Sequence, residues 1–299
     1  MLKPAPLRRG DVIGVVAPAA AVDAAALATG VHTLEQLGFR VQLGPAVFRR
    51  AGYLAGHDRE RLADLIAMWE NPEVKAILAA RGGYGSGRLL ALLDPALART
   101  YPKIIVGFSD LTFLLNDLVQ RAELVTFHGP MAVSLAQQPE VAERLARTLA
   151  GDRRDWNLSA SEVIQPGTAE GIIIGGCLSV LVAMLGTPYD IDTAGRLLLL
   201  EDHNEKPYRI DRMLTQLRQA GKLEAVAGVV FGEMPGCTAN PNEAVTVRDV
   251  IAEAFADADY PVALGLPTGH GAGTATVPLG VRARLAGERL TLLESPLAE

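Results

Sequence analysis

Cysteine is almost missing from this sequence. Only Cys177 and Cys237 carry thiols in 299 residues, far apart and outside any C-x-x-C arrangement. That excludes a disulfide-built scaffold, leaves room for one bridge at most, and suits a reducing cytoplasm. The five histidines are scattered too. No metal-ligand spacing appears, and neither a metal nor another cofactor is expected. Aromatic residues make up 5% of the chain, too few for base-stacking platforms. A net charge of −6 lacks the basic footprint of a nucleic-acid binder. No apolar run approaches the ~18–20 residues that span a bilayer. Nucleic acid and membrane are therefore not expected as partners.

The N-terminus superficially resembles a signal peptide, with Lys3, Arg8 and Arg9 ahead of "VIGVVAPAAAVDAAALA". Asp11, Pro18 and Asp23 interrupt that pattern. "DVIGVVAP" reads better as a first buried strand that feeds a loop and a helix.

What is present is a soluble-protein composition, 49% hydrophobic and 21% charged, with strand and helix signals alternating through the first half. After the first strand comes a helical stretch over residues 24–37, closed by Gly38, then the short strand "FRVQLG". "RERLADLIAMW" has apolar residues at 62, 65, 66 and 69, one face of a helix. "VKAILAA" is a buried strand, "GSGRLLALL" is expected to open a helix, and "KIIVGF" is another strand. This rhythm predicts an α/β fold whose first sheet is mostly parallel and flanked by helices.

The rhythm breaks at "AGDRRDWNLSASEVIQPGTAEG", which is polar and rich in Gly, Ser and Asp. The expected organisation is an N-terminal domain over 1–145, a linker over 146–170 and a C-terminal domain over 171–299. In the last of these, "GIIIGGCLSVLVAML", "RLLLLED", "IDRMLTQL", "AGVVFGEM", a helix over 247–256 and "VALGLPTGHGAG" precede an alternating tail. That tail reads as an antiparallel hairpin around Ala286-Gly287. The second domain is expected to be mixed α/β with more antiparallel pairing.

Several polar residues stand at strand ends, where a rigid scaffold presents chemistry. Ser109 follows "KIIVGF" and begins a helical pattern, so it suits either a helix N-cap or a nucleophile at a strand–turn–helix elbow. The G-x-S-x-G elbow is half met, because Leu111 occupies the second glycine position. A nucleophilic serine needs a base, and the base needs an orienting acid. His32, His57, His128, His203 and His270 are the candidates. His270 in "GLPTGHGAG" is favoured, and His128 in "TFHGPM" is its strongest rival. Glu201 ends "RLLLLED" after four leucines, a costly place for an unpaired carboxylate, with Asp202 and Glu205 as competitors. The glycine cluster "ARGGYGSGRLL" fits neither a dinucleotide fingerprint nor a P-loop. It can still present backbone N–H groups to an anion, with Arg81 adding a charged donor and Tyr84 beside it.

Taken together and in order, "ARGGYG", "GFSDLT", "HGPM", "GGCLSVL" with "GTPYDID", "LLLLEDHNEKPYRIDRMLTQL" and "GLPTGHG" resemble the LD-carboxypeptidase family of serine peptidases. That family includes the microcin-immunity peptidases. The resemblance spans nearly the whole chain. It implies a triad of Ser109 as nucleophile, Glu201 as orienter and His270 as general base, carried on two domains with the site in the groove between them. It implies an oxyanion hole from the Asp110 N–H and one from the Gly82-Gly83 turn, taken here as Gly83. Arg81, Tyr84 and His128 are the candidate substrate contacts. The implied substrate is a murein tetrapeptide, cut between an L-centre and a terminal D-amino acid during cytoplasmic recycling. No metal is used, and the implied assembly is a homodimer. Three other readings stand beside this one. A related peptidase for a peptidyl-nucleotide antibiotic would want an aromatic-bearing loop, and only Trp156 offers itself. A non-catalytic murein-peptide binder would want a triad member missing, yet all three positions are filled. An α/β-hydrolase esterase would want the second elbow glycine and an H-G-G-G loop.

Overall fold

Apolar runs of the first half become the strands of a parallel sheet. The computed structural model describes residues 1–135, 138–240 and 244–299. Its elements run β1 (Val12–Val16), α1 (Ala24–Gln36), β2 (Arg40–Leu43), α2 (Asp58–Glu70), β3 (Val74–Ala79), α3 (Pro95–Thr100), β4 (Ile104–Gly107), α4 (Thr112–Arg121), β5 (Thr126–His128), α5 (Ala132–Leu135) and α6 (Pro139–Leu149). Local chemistry sets the helix starts. Asp23 accepts the Ala26 N–H ahead of α1, and a His57–Glu60 capping box opens α2. β1 and β4 are buried on both faces, as helices on either side of a parallel sheet require.

The second half continues with β6 (Asn157–Ser159), β7 (Glu162–Gln165), β8 (Thr168–Cys177), α7 (Leu178–Met184), β9 (Arg196–Glu201), α8 (Pro207–Gln219), β10 (Gly228–Glu233), α9 (Val247–Ala254), β11 (Val262–Gly269), β12 (Val277–Leu279), β13 (Arg282–Ala286) and β14 (Arg289–Leu292). The chain divides into two units: 1–155 with 275–280 and 295–299, and 156–274 with 281–294.

The first unit's sheet has the order β12-β5-β4-β3-β1-β2 among the described residues. It is parallel except at β12, which adds antiparallel to β5. Strand order reverses between β1 and β3. In an open α/β sheet, the crevice beyond the carboxyl ends at such a reversal is where ligands bind.

The second unit's sheet runs β6-β14-β13-β8-β9-β10-β11-β7. Its centre, β8 to β11, is parallel, and the flanking strands pair antiparallel. The mixed α/β expectation therefore holds, and so does the hairpin, with Ala286 opposite Arg289.

Three local expectations change. Residues 146–170 are not a linker, because they form the end of α6, the strands β6 and β7, and the start of β8. Polar composition there reflects half-exposed edge strands rather than a structureless segment. "GSGRLLALL" yields only a 3-10 turn over Ser86–Leu89, since the glycines on either side of Ser86 weaken helix propagation. On α2 the expected Leu65 and Trp69 are buried, together with Arg61, Asp64 and Met68, whereas Leu62 and Ile66 are only half-buried. Arg61 tolerates burial by donating to the carbonyls of Pro18 and Gly85 and pairing with Asp58 at 2.5 Å. Both cysteines are buried thiols, joined by no disulfide.

Candidate active site

In the first unit, the loops after β1 and β3 meet at the strand-order reversal. The Ala20 N–H donates to the Gly82 carbonyl, and Arg81 Nη1 donates to the Ala21 carbonyl at 3.2 Å. Ser109 is close by: a Cβ built on Gly82 would lie 3.1 Å from the Ser109 Cβ and 3.2 Å from its Oγ. The glycine loop and the serine turn thus touch, and the next residue ties them together. The buried Asp110 carboxylate accepts the N–H groups of Gly85 (3.2 Å) and Ser86 (2.8 Å), while the Ser86 hydroxyl donates to the Asp110 carbonyl at 2.6 Å.

Ser109 is not a helix cap. Phe108 occupies the N-cap of the 3-10 turn Ser109–Leu111, Leu111 that of α4, and no side chain caps either. Instead Ser109 has φ 60°, in the left-handed region that a non-glycine residue enters at a cost of about 1–2 kcal/mol. Strain of that kind persists only where the surrounding structure over-determines it. Leu111 takes the place of the second elbow glycine and packs back onto Gly107, where a Cβ would meet its Cγ at 2.8 Å. As second residue of the turn, Asp110 has a backbone N–H of the class that helix starts leave without an internal acceptor. Gly83, at φ 105°, is exposed, as is Arg81. Tyr84 is 50% exposed and tilts against Tyr53 with ring centroids 5.8 Å apart. His128 is different: it is fully buried, edge-on to Phe108, and so lends no surface to a ligand.

In the second unit, Glu201 ends β9 and is wholly buried. His270 follows β11. Its Nδ1 lies 2.6 Å from Glu201 Oε2, and its backbone N–H donates to the same oxygen at 3.2 Å. A carboxylate only accepts, so the proton of this bond sits on Nδ1. Close approach of the two strand ends needs Gly269, whose φ is 98° and where a Cβ would collide with the Glu201 carboxylate. Glu201 Oε1 is buried with no hydrogen-bond partner among the described residues.

Around this pair, burial and the nearby Glu201 and Asp202 hold the Cys177 thiol far above its usual range. It therefore stays an inert, protonated wall. Asp202 is raised by burial, against the pull of its bonds to the Ser179 and His203 N–H groups. One acid escaped the sequence reading. Glu233 ends β10, its Oε2 is buried without a partner among the described residues beside Gly271, and burial raises its carboxyl. The signal existed, since a carboxylate closing an apolar strand is the same pattern that singled out Glu201.

The structure therefore assembles Ser109, Asp110, Gly83 and Arg81 in one unit and Glu201 with His270 in the other. Comparison with known proteins gives a context for both. Residues 13–129 match the family model described as the LD-carboxypeptidase N-terminal domain, and residues 170–285 match the model of the LD-carboxypeptidase C-terminal domain. A probable murein peptide carboxypeptidase of Bacillus subtilis is 40% identical, covering 99% of this chain and 96% of the relative. The crystal structure of a muramoyltetrapeptide carboxypeptidase from Oxalobacter formigenes is 29% identical, with a TM-score of 0.84 over 94% of this chain and 97% of that one. The microcin C7 self-immunity protein MccF, in its wild-type apo state, shares the fold with a TM-score of 0.92 over the full length of both chains at 23% identity.

Proposed function

The chain belongs to the LD-carboxypeptidase family, and from that premise we propose that it removes the terminal D-amino acid from murein tetrapeptides through a Ser109–His270–Glu201 triad. The observation that carries the chemistry is the 2.6 Å bond between buried Glu201 and His270 Nδ1. It fixes the tautomer in which Nε2 can accept a proton, and it steadies the imidazolium that forms.

In this reading His270 Nε2 takes the proton of Ser109 Oγ as the oxygen attacks the carbonyl of the L-centre, a diamino acid. Backbone N–H groups of Asp110 and Gly83 receive the developing oxyanion. His270 then returns the proton to the leaving D-amino acid, and the acyl group stays on Ser109. Water, activated by the same nitrogen, releases it. Arg81 binds the substrate's terminal carboxylate with the N–H groups that Ala21 leaves over, and Tyr84 flanks that end of the peptide. Peptidoglycan recycling in the cytoplasm, by a homodimer, completes the proposal on the strength of the family resemblance. The 40% identical relative is named for murein peptides, which favours this substrate over a peptidyl-nucleotide.

Incubation with murein tetrapeptides ending in D-alanine or L-alanine tests it, with released amino acid identified by chiral mass spectrometry. D-alanine release from the first alone is expected. Equal cleavage of both, or faster cleavage of a pentapeptide, overturns LD specificity. Cleavage of a peptidyl-nucleotide with no action on tetrapeptide moves the reading to an immunity-type peptidase.

A further inference from the structure

His203 lies two residues beyond Glu201, and the triad gives it no task. Its ring is stacked face to face on that of His270, with centroids 3.7 Å apart and planes inclined by 14°. The loop that carries it is held at several points. Asp202 Oδ1 accepts the His203 N–H at 2.8 Å, and its Oδ2 accepts the Ser179 N–H at 2.8 Å, near the start of α7. Asn204 sits in the left-handed region at φ 56°, with its N–H donating to the Pro235 carbonyl at 3.0 Å. Gly236 makes room, since a Cβ there would strike the Asn204 amide. Asparagine enters that region more readily than most residues, and the bond to Pro235 holds it there. Here the result is a flat ring laid on another flat ring.

The bond from Glu201 acts at Nδ1, on one edge of the His270 ring. The stacked His203 ring acts on its face, and so on its tilt. Partial burial, and then the neighbouring His270, hold the His203 imidazole below its ordinary value, against the pull of Asp202, Glu201 and Glu205. A neutral ring also suits the cation that forms beneath it, because an imidazolium on an uncharged π-face is attracted rather than repelled.

We infer that His203 is a positioning residue for His270, whose ring face sets the plane of that imidazole and thereby the direction of Nε2. This rests on the reading of His270 as general base. Small errors of placement are costly in proton transfer: a 1 Å misplacement can cost about 10²-fold in rate.

The test compares His203→Ala, which removes the face, with His203→Phe, which keeps a flat ring but no nitrogen. In His203→Ala, kcat on a D-alanine tetrapeptide should fall about tenfold or more, while KM changes much less. His203→Phe should restore most of kcat. A second readout is independent of turnover. In protein labelled with 15N-histidine, the proton shared between His270 and Glu201 should give a low-field resonance, assigned by its loss in His270→Ala. It should persist in His203→Phe and broaden or shift in His203→Ala. If His203→Ala does not fold, His203→Leu fills the volume without a flat face. Wild-type kcat in the alanine variant overturns the inference, as does a fall in kcat with an unchanged resonance. A phenylalanine variant as poor as alanine also overturns it, because a nitrogen rather than the face would then matter. Full turnover in His270→Ala sinks the base assignment instead, and the resonance still decides whether His203 fixes the ring.

Discussion

Nδ1 of His270 and Oε2 of Glu201 are 2.6 Å apart although 69 residues separate them in sequence. The carboxylate is fully buried and the imidazole is nearly so, with 12% of its side chain exposed. The bond therefore works in a medium where a charge-assisted hydrogen bond is strong and where its loss leaves a costly unpaired group.

Glu201→Gln keeps the size of the side chain but offers an amide N–H to the imidazole, which favours the wrong tautomer. Turnover should fall by about 10⁴-fold with little change in KM. Steady-state kinetics with far-UV circular dichroism as a folding control checks this. A loss below tenfold would remove Glu201 from the triad.

In the proposed mechanism Ser109 supplies the nucleophile from a strained backbone, so two substitutions should separate chemistry from strain. Ser109→Ala should lower kcat by about 10⁶-fold and leave thermal stability close to wild type, because alanine keeps the left-handed penalty. Ser109→Gly should be equally inactive yet more stable by about 1 kcal/mol. Calorimetry of the two variants reads the difference directly. Near-normal turnover in either would return Ser109 to a structural role.

Arg81 is exposed, with Nη1 already donating to the Ala21 carbonyl. As a carboxylate receptor its loss should lower kcat/KM by more than about tenfold, equivalent to roughly 1.4 kcal/mol. Amidation of the substrate's terminal carboxylate should harm the wild type far more than Arg81→Ala. Equal harm to both proteins would reduce Arg81 to a surface cation.

Asp117, buried on α4 and 3.1 Å from Arg121 Nε, has its carboxyl pushed up to about 6 by desolvation, which Arg121 only partly offsets. A carboxyl raised in the folded state binds its proton more tightly there than when unfolded. Folded-state stability from this group therefore grows as pH falls through about 6 and levels off below the unfolded value near 4. The wild type should gain on Asp117→Asn between pH 7.5 and about 4 in melting temperature. A difference that does not vary with pH would show that Asp117 does not titrate in this range.

Much of this protein was decided locally. The alternation of apolar strands with helical faces required an α/β fold, because each segment's period fixes which side it must bury. Ser109, Glu201 and His270 stood out as candidates because polar groups at the ends of apolar strands contrast with what precedes them, and the family resemblance supplied their roles. The same reasoning would have reached Glu233. Local pattern could not fix three other things. Strand order is one: nothing in β1 and β3 themselves dictates that the chain reverses between them, and that reversal brings the Ala20–Ala21 loop to Gly82 and Arg81. Burial of polar side chains is another. Arg61 lies on the inner face of α2 because the carbonyls of Pro18 and Gly85 wait there, and His128 is sealed inside, although its sequence neighbourhood resembled that of an exposed strand end. Backbone strain is the third. Ser109 reads as an ordinary N-cap in sequence, yet packing of Leu111 onto Gly107 and the bonds of Asp110 to the glycine loop accompany its φ of 60°. Periodicity reports how far each residue is buried, whereas the partners of a residue come from segments tens of positions away, and only the folded chain chooses among them.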